Sequence, residues 1–344
     1  MSPPLIPPHN GGVASIAKIS VHPSQFPENV RRDLIESLRR RQVNPKFHYD
    51  SLKQTRKWLA LHQAYSPSRT DAGCAAIYDR SFAAAAQSVQ SRRARLIGLG
   101  CGGGQKDTRL LRRLRAAGKE VFYTPSDVSA AMVLEARQAA LSVVAEENCF
   151  PLVCDLATAG DLPGVLDEQP APEAARLITF FGMIPNFEPE VILPRLAGLL
   201  RPEDTLLFSA NLAPGTDYEA GVRRILPLYD NALTRDWLMT FLLDLGVERE
   251  DGRLEIGVEA GPAGSGLRRV AAWFHFSRPC SIQVDDQTFA FKPEEAIRLF
   301  YSYRHTPALA RTLLEQHGLE VVDQWIAPSE EEGVFLARRV GKPV

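Results

Sequence analysis

Between residues 95 and 107 an apolar run, Arg95-Leu96-Ile97-Gly98-Leu99, breaks into Gly100-Cys101-Gly102-Gly103-Gly104. Apolar residues then resume at helical spacing, with Leu110, Leu111 and Leu114 on one face. The order is strand, glycine turn, helix, which opens a nucleotide-binding α/β fold. Glycine is required there because the chain must turn sharply, partly at positive φ, and let a ligand approach the main chain.

A regular alternation follows the turn. The patterning predicts strands at 95–99, 120–126, 149–154, 176–181 and 205–210, with helices at 106–117, 130–146 and 189–200. The strands are short and mostly apolar, as in a parallel sheet covered on both faces. Before the turn, helices are expected from Pro27, over 51–63 and up to Gln90, the last capped by Ser68 or Thr70. After it, 216–245 reads as helical, and 253–259, 268–277, 280–285 and 288–292 read as strands. A helix at 307–317 and strands at 319–326 and 333–339 close the chain, and two final strands joined by a short loop imply an antiparallel last strand.

Taken alone, the turn fits two ligands. Gly98-x-Gly100-x-x-Gly103 satisfies the dinucleotide fingerprint, with Asp127 as the acid expected about 20 residues on. Shifted, Gly100-x-Gly102-x-Gly104 resembles the glycine motif of S-adenosylmethionine (SAM)-dependent methyltransferases. Asp127 would accept from ribose hydroxyls in either case. Asp155, at the end of the third strand, and Gly182 to Asn186, after the fourth, favour SAM. So do the long segments before residue 95 and after 212, which can roof the ligand edge of the sheet.

Composition narrows the partners. The 344 residues carry a net charge of −1, so nothing electrostatic points to nucleic acid or an anionic membrane. Five cysteines without paired spacing suit a reducing cytoplasm, and seven scattered histidines give no metal-ligand pattern, so no metal is expected. No apolar run reaches a membrane span of ~18 residues, and the N-terminus lacks the pattern of a signal peptide. Residues 1–26, rich in proline, read as a loose arm.

Several motifs coincide with one family. Phe47-His48-Tyr49-Asp50, Tyr65-Ser66-Pro67-Ser68-Arg69-Thr70-Asp71, the turn with Lys106, Pro125-Ser126-Asp127-Val128, Phe181-Gly182 with Asn186, and Leu228-Tyr229-Asp230 resemble the histidine Nα-methyltransferases of ergothioneine biosynthesis. The resemblance spans roughly residues 30–340. It implies an α/β, Rossmann-like SAM-dependent methyltransferase sheet with N-terminal helices and an inserted β-rich subdomain. The expected division is a SAM-binding domain over 27–212 and 305–344, and a substrate-binding insert over 213–304. By position, Tyr49, Gly100, Gly102, Lys106, Asp127 and Asp155 would bind SAM. Tyr65, Asn186 and Tyr229 would hold the carboxylate of an amino-acid substrate, with Tyr65 the polar partner nearest the amine and hence the candidate catalytic group.

The departures bear on the acceptor. The family sets a glutamate and a serine against the histidine imidazole, whereas the stretch Arg298 to Arg304 contains no carboxylate and aligns Ser302 only with a shift. Ala272 replaces a bulky methionine, and Gly98 stands where the motif carries an acid. An amine or amino acid other than histidine, larger or more apolar, is therefore the expected small-molecule substrate. The alternatives are an NAD(P)-dependent oxidoreductase and a SAM-binding protein without activity.

Overall fold

The apolar run ending at Leu99 is a middle strand of an eight-stranded sheet in the computed structural model, which describes residues 16–262 and 264–340. In chain order the strands are β1 (Ser20–Val21), β2 (Arg93–Leu99), β3 (Glu120–Asp127), β4 (Leu152–Val153), β5 (Ala175–Phe180) and β6 (Thr205–Asn211). They continue as β7 (Gly252–Ala260), β8 (Arg268–Phe276), β9 (Cys280–Val284), β10 (Gln287–Phe291), β11 (Ala296–Arg304), β12 (Leu319–Ile326) and β13 (Glu332–Arg339). The large sheet runs β1-β4-β3-β2-β5-β6-β13-β12, and β13 is antiparallel to both neighbours. This is the parallel sheet with an antiparallel last strand expected from the sequence. Parallel strands buried on both faces lack alternation because both side-chain directions meet apolar layers. Ile97, Ile178 and Phe208 pack on one face, and Leu96, Leu177 and Leu207 on the other.

The second unit is antiparallel. Strands β7, β8 and β11 form a three-stranded sheet, and β9 and β10 a hairpin. Helix Ala232–Asp244 packs on this sheet through Trp237, Leu238, Phe241 and Leu242, together with Phe47 and Leu38 from the N-terminal segment. The main chain around Gln42 pairs with Arg298, and residues 211–213 with His305, so both segments tie the insert to the large sheet.

Four local readings are corrected. Ser20–Val21, taken as part of a loose arm, adds an edge strand to β4, while residues 1–15 lie outside the described residues. Helix Ala72–Ser88 is capped by Asp71, whose Oδ1 accepts from the Gly73 N–H at 2.7 Å; residues 67–70 make a helical turn of their own and are unavailable as caps. The helix expected over 130–146 ends at Ala140, and the one expected over 216–245 is broken at Leu226–Leu228, where Pro227 cannot supply a helical N–H. Strand β11 carries no period-2 signal because nearly all of its residues are buried on both faces.

Candidate active site

The glycine turn leaves β2 at the carboxyl edge of the sheet and enters helix Gln105–Ala116. Gly100, Gly102 and Gly104 take φ values of 63°, 51° and 71°, a region costly for any residue with a Cβ. At Gly104 space adds a second reason, because a Cβ would lie 2.6 Å from Cα of Ala136. Asp127 ends β3 beside this turn. Its Oδ2 accepts the Gly102 N–H and its Oδ1 the Ser129 N–H, both at 3.1 Å. Burial raises its carboxyl to about 6.

A cavity of about 630 Å³ extends from Asp127 and Asp155, past the turn, to β11 of the insert. Its wall brings together Tyr49, Tyr65, Gly100, Gly102, Lys106, Asp127, Asp155, Asn186, Tyr229 and Ser302. Ala272 is not among them. It is fully buried on β8, opposite Phe300 and Ile256, inside the core of the insert, so its small size creates no room for a substrate.

The cofactor side is held by networks that residue patterns do not reveal. Lys46 is buried and bridges Asp33 at 2.5 Å and Asp155 at 3.2 Å, while Oδ1 of Asp155 accepts the Ala157 N–H. Lys106 donates to the Tyr78 hydroxyl at 2.8 Å and lies 3.5 Å from Glu332, which also accepts from Tyr78. Glu332 looks like a solvated turn charge in the run Glu330-Glu331-Glu332, yet it is 5% exposed. Tyr49 sits between Trp58 and Trp237, at ring-centroid distances of 5.8 and 5.5 Å, and burial holds its hydroxyl neutral.

The donor set suits SAM. The turn offers main-chain groups free of Cβ atoms, Asp127 offers acceptor oxygens for a diol, and aromatic faces of Tyr49, Trp58 and Phe181 suit a cationic sulfur. Lys106, an ammonium at the cavity wall, suits a carboxylate.

The far side is built from β11 and its neighbours. Ser302 faces the cavity and pairs with the Tyr229 hydroxyl at 2.8 Å, and Arg304 Nη2 donates to the same hydroxyl at 2.8 Å. Nδ2 of Asn186 donates one of its two N–H groups to the Tyr301 carbonyl at 2.6 Å, which leaves Oδ1 and the second N–H for a ligand. Tyr65 lies half-buried on the wall at the end of helix Leu52–Tyr65, with no hydrogen bond from its hydroxyl to a described residue. Glu188 also lines the cavity, so this side does hold a carboxylate although β11 has none; the Tyr303 hydroxyl binds it at 2.6 Å and Arg269 lies 3.7 Å away. The sequence reading missed Lys46, Glu188, Arg304 and Glu332. Lys46 alone left a signal, a lone cation inside an aromatic segment.

The sequence matches the family described as "Histidine-specific methyltransferase, SAM-dependent" over residues 30–240 and 265–339. No curated protein matches it. Similar solved structures include magnesium protoporphyrin IX methyltransferase from Synechocystis PCC 6803 with bound SAH, at 16% identity, covering 84% of this chain and 94% of that one, with a TM-score of 0.43. Another is the 1,6-didemethyltoxoflavin-N1-methyltransferase of Burkholderia thailandensis, at 15% identity, 97% and 94% coverage and a TM-score of 0.41. A possible exported protein from Bordetella parapertussis is similar at 12% identity, 77% and 67% coverage and a TM-score of 0.45.

Proposed function

This chain belongs to the family of SAM-dependent, histidine-specific methyltransferases, and from that premise we propose that it N-methylates the α-amine of an amino acid or amino-acid-derived molecule other than histidine. The nicotinamide alternative gives way to the family membership. SAM supplies a methyl group on a positively charged sulfur that is already a good leaving group. The residues of the chain therefore need to align the amine and keep it neutral rather than generate a nucleophile.

The observation that carries the reading is the single cavity joining the glycine turn to the wall formed by Tyr65, Asn186 and Tyr229. Asp127 would accept the ribose hydroxyls, Asp155 the adenine amine and Lys106 the carboxylate of the cofactor. Oδ1 of Asn186 is an acceptor for an amine N–H, and Tyr65 is the second polar group for it. Closure of the N-terminal helices and the insert over this cavity would exclude water. Phe300 on the cavity wall offers the nitrogens of an imidazole no hydrogen-bond partner, and Glu188 is already bound by Tyr303 with Arg269 beside it.

The test is S-adenosylhomocysteine release from SAM with each proteinogenic amino acid, beside its N-acetyl derivative. We expect release with at least one amino acid other than histidine, above that with histidine, and none with the blocked amines. Release with histidine alone, or equal release with N-acetyl derivatives, contradicts the proposal.

A further inference from the structure

The cavity wall contains a buried cation without a counter-ion. Arg304 is 3% exposed. Its Nη1 donates to the Leu212 carbonyl at 3.2 Å, its Nη2 to the Tyr229 hydroxyl at 2.8 Å, and its Nε has no partner. Among the described residues no Asp or Glu forms an ion pair with it. Burying a cation without a partner is costly.

Its guanidinium also lies 5.1 Å from the Tyr229 ring centroid, and the hydroxyls on this side of the cavity can donate outward. The Tyr229 oxygen already receives the Arg304 N–H, so the Tyr229 proton is free for Ser302 or a ligand. Ser302 brings a second hydroxyl, two residues away on the same strand face. One guanidinium and two hydroxyls make a wall of donors, whereas Asn186 Oδ1 is an acceptor. A donor wall beside an acceptor is complementary to a molecule with an anionic group and an amine.

Building on the proposed amine methylation, we infer that Arg304 supplies the counter-charge for a carboxylate of the methyl acceptor. The acceptor is then a free α-amino acid or a similar amino-carboxylate, and amines lacking the anion are excluded. This adds a cation to the neutral carboxylate cradle of Tyr65, Asn186 and Tyr229 that the resemblance implies, and charge-assisted hydrogen bonds of this kind are the stronger type.

The experiment measures binding to full-length protein saturated with S-adenosylhomocysteine, so it does not depend on catalysis. Each proteinogenic amino acid is titrated beside its amide and its decarboxylated amine, in wild type and in Arg304→Gln and Arg304→Lys. We expect the best-bound carboxylate to be preferred over its amide by about tenfold or more. The preference disappears in Arg304→Gln and partly returns in Arg304→Lys, while S-adenosylhomocysteine affinity, which also reports folding, stays unchanged. Wild type without a carboxylate preference for any member, or Arg304→Gln with the full preference, overturns the inference. Carboxylate-selective binding without methyl transfer would instead refute the proposed reaction and leave Arg304 as the anion site.

Discussion

A Cβ built on Gly98 would lie 2.0 Å from Oδ2 of Asp107, so the two positions share space for one side chain. Asp107 comes from the first turn of helix Gln105–Ala116, is 3% exposed, and accepts the Tyr123 and Thr179 hydroxyls at 2.8 Å each. Burial raises its carboxyl to about 6. The glycine that looks like a lost motif acid is thus matched by a carboxylate from the next element. Gly98→Ala should cost about 1–3 kcal/mol by overpacking. In the Gly98→Ala/Asp107→Ala double variant the clash is absent, so its loss should be smaller than the sum of the single losses. Denaturant unfolding of the three variants measures this, and additive losses would contradict the shared site.

Lys46 should be a major contributor to stability, because it neutralises two carboxylates that are themselves largely buried. Lys46→Met leaves Asp155 without a cation and Asp33 with only the exposed Arg32 at 3.4 Å, and breaking a buried pair in this way costs about 3–5 kcal/mol. Urea unfolding near neutral pH checks it. A loss no larger than that of an exposed pair such as Lys53–Asp244 would contradict the assignment.

Cofactor affinity should depend on pH through Asp127. Burial moves this carboxyl up from 3.8 to about 6, so it is ionised above that value and neutral below. A neutral acid loses acceptor capacity for a ribose diol, and S-adenosylhomocysteine affinity should therefore fall as pH drops through about 6. The ligand-free protein carries the opposite sign: the charged form is the strained one, so this group's stability contribution is lost as pH rises through the same range. Asp50 and Asp107 titrate near the same pH, and Asp127→Asn separates them by flattening the profile. An unchanged profile in that variant would exclude Asp127 as the source.

Tyr65→Phe should separate the two halves of the cavity. Loss of one hydrogen bond to the acceptor is expected to lower kcat/KM by about ten- to hundredfold with S-adenosylhomocysteine affinity intact. Equal loss of cofactor affinity would put Tyr65 on the cofactor side.

The large sheet was legible because each βα unit carries its own signals, from the run ending at Leu99 to the glycine turn and Asp127. Motif residues such as Tyr49, Asn186 and Tyr229 could be matched by position, and they do line one cavity. What stayed hidden depends on pairing across distant elements. Lys46 meets Asp155 and Lys106 meets Glu332 only after folding, and Arg304 becomes a buried cation only because β11 is covered on both faces. Ala272 illustrates the converse error, since its place opposite Phe300 and Ile256 in the core of the insert is set by strand pairing that the sequence does not show.

The central claim is methyl transfer to an amino nitrogen. The most direct measurement incubates the protein with SAM isotopically labelled in its methyl group and the amino acid that releases most S-adenosylhomocysteine, and locates the label in the product by NMR. The account predicts a labelled N-methyl group on the α-amine of an amino acid other than histidine. A label on oxygen, carbon or sulfur, or on histidine alone, or no transfer to any amino acid, would contradict it.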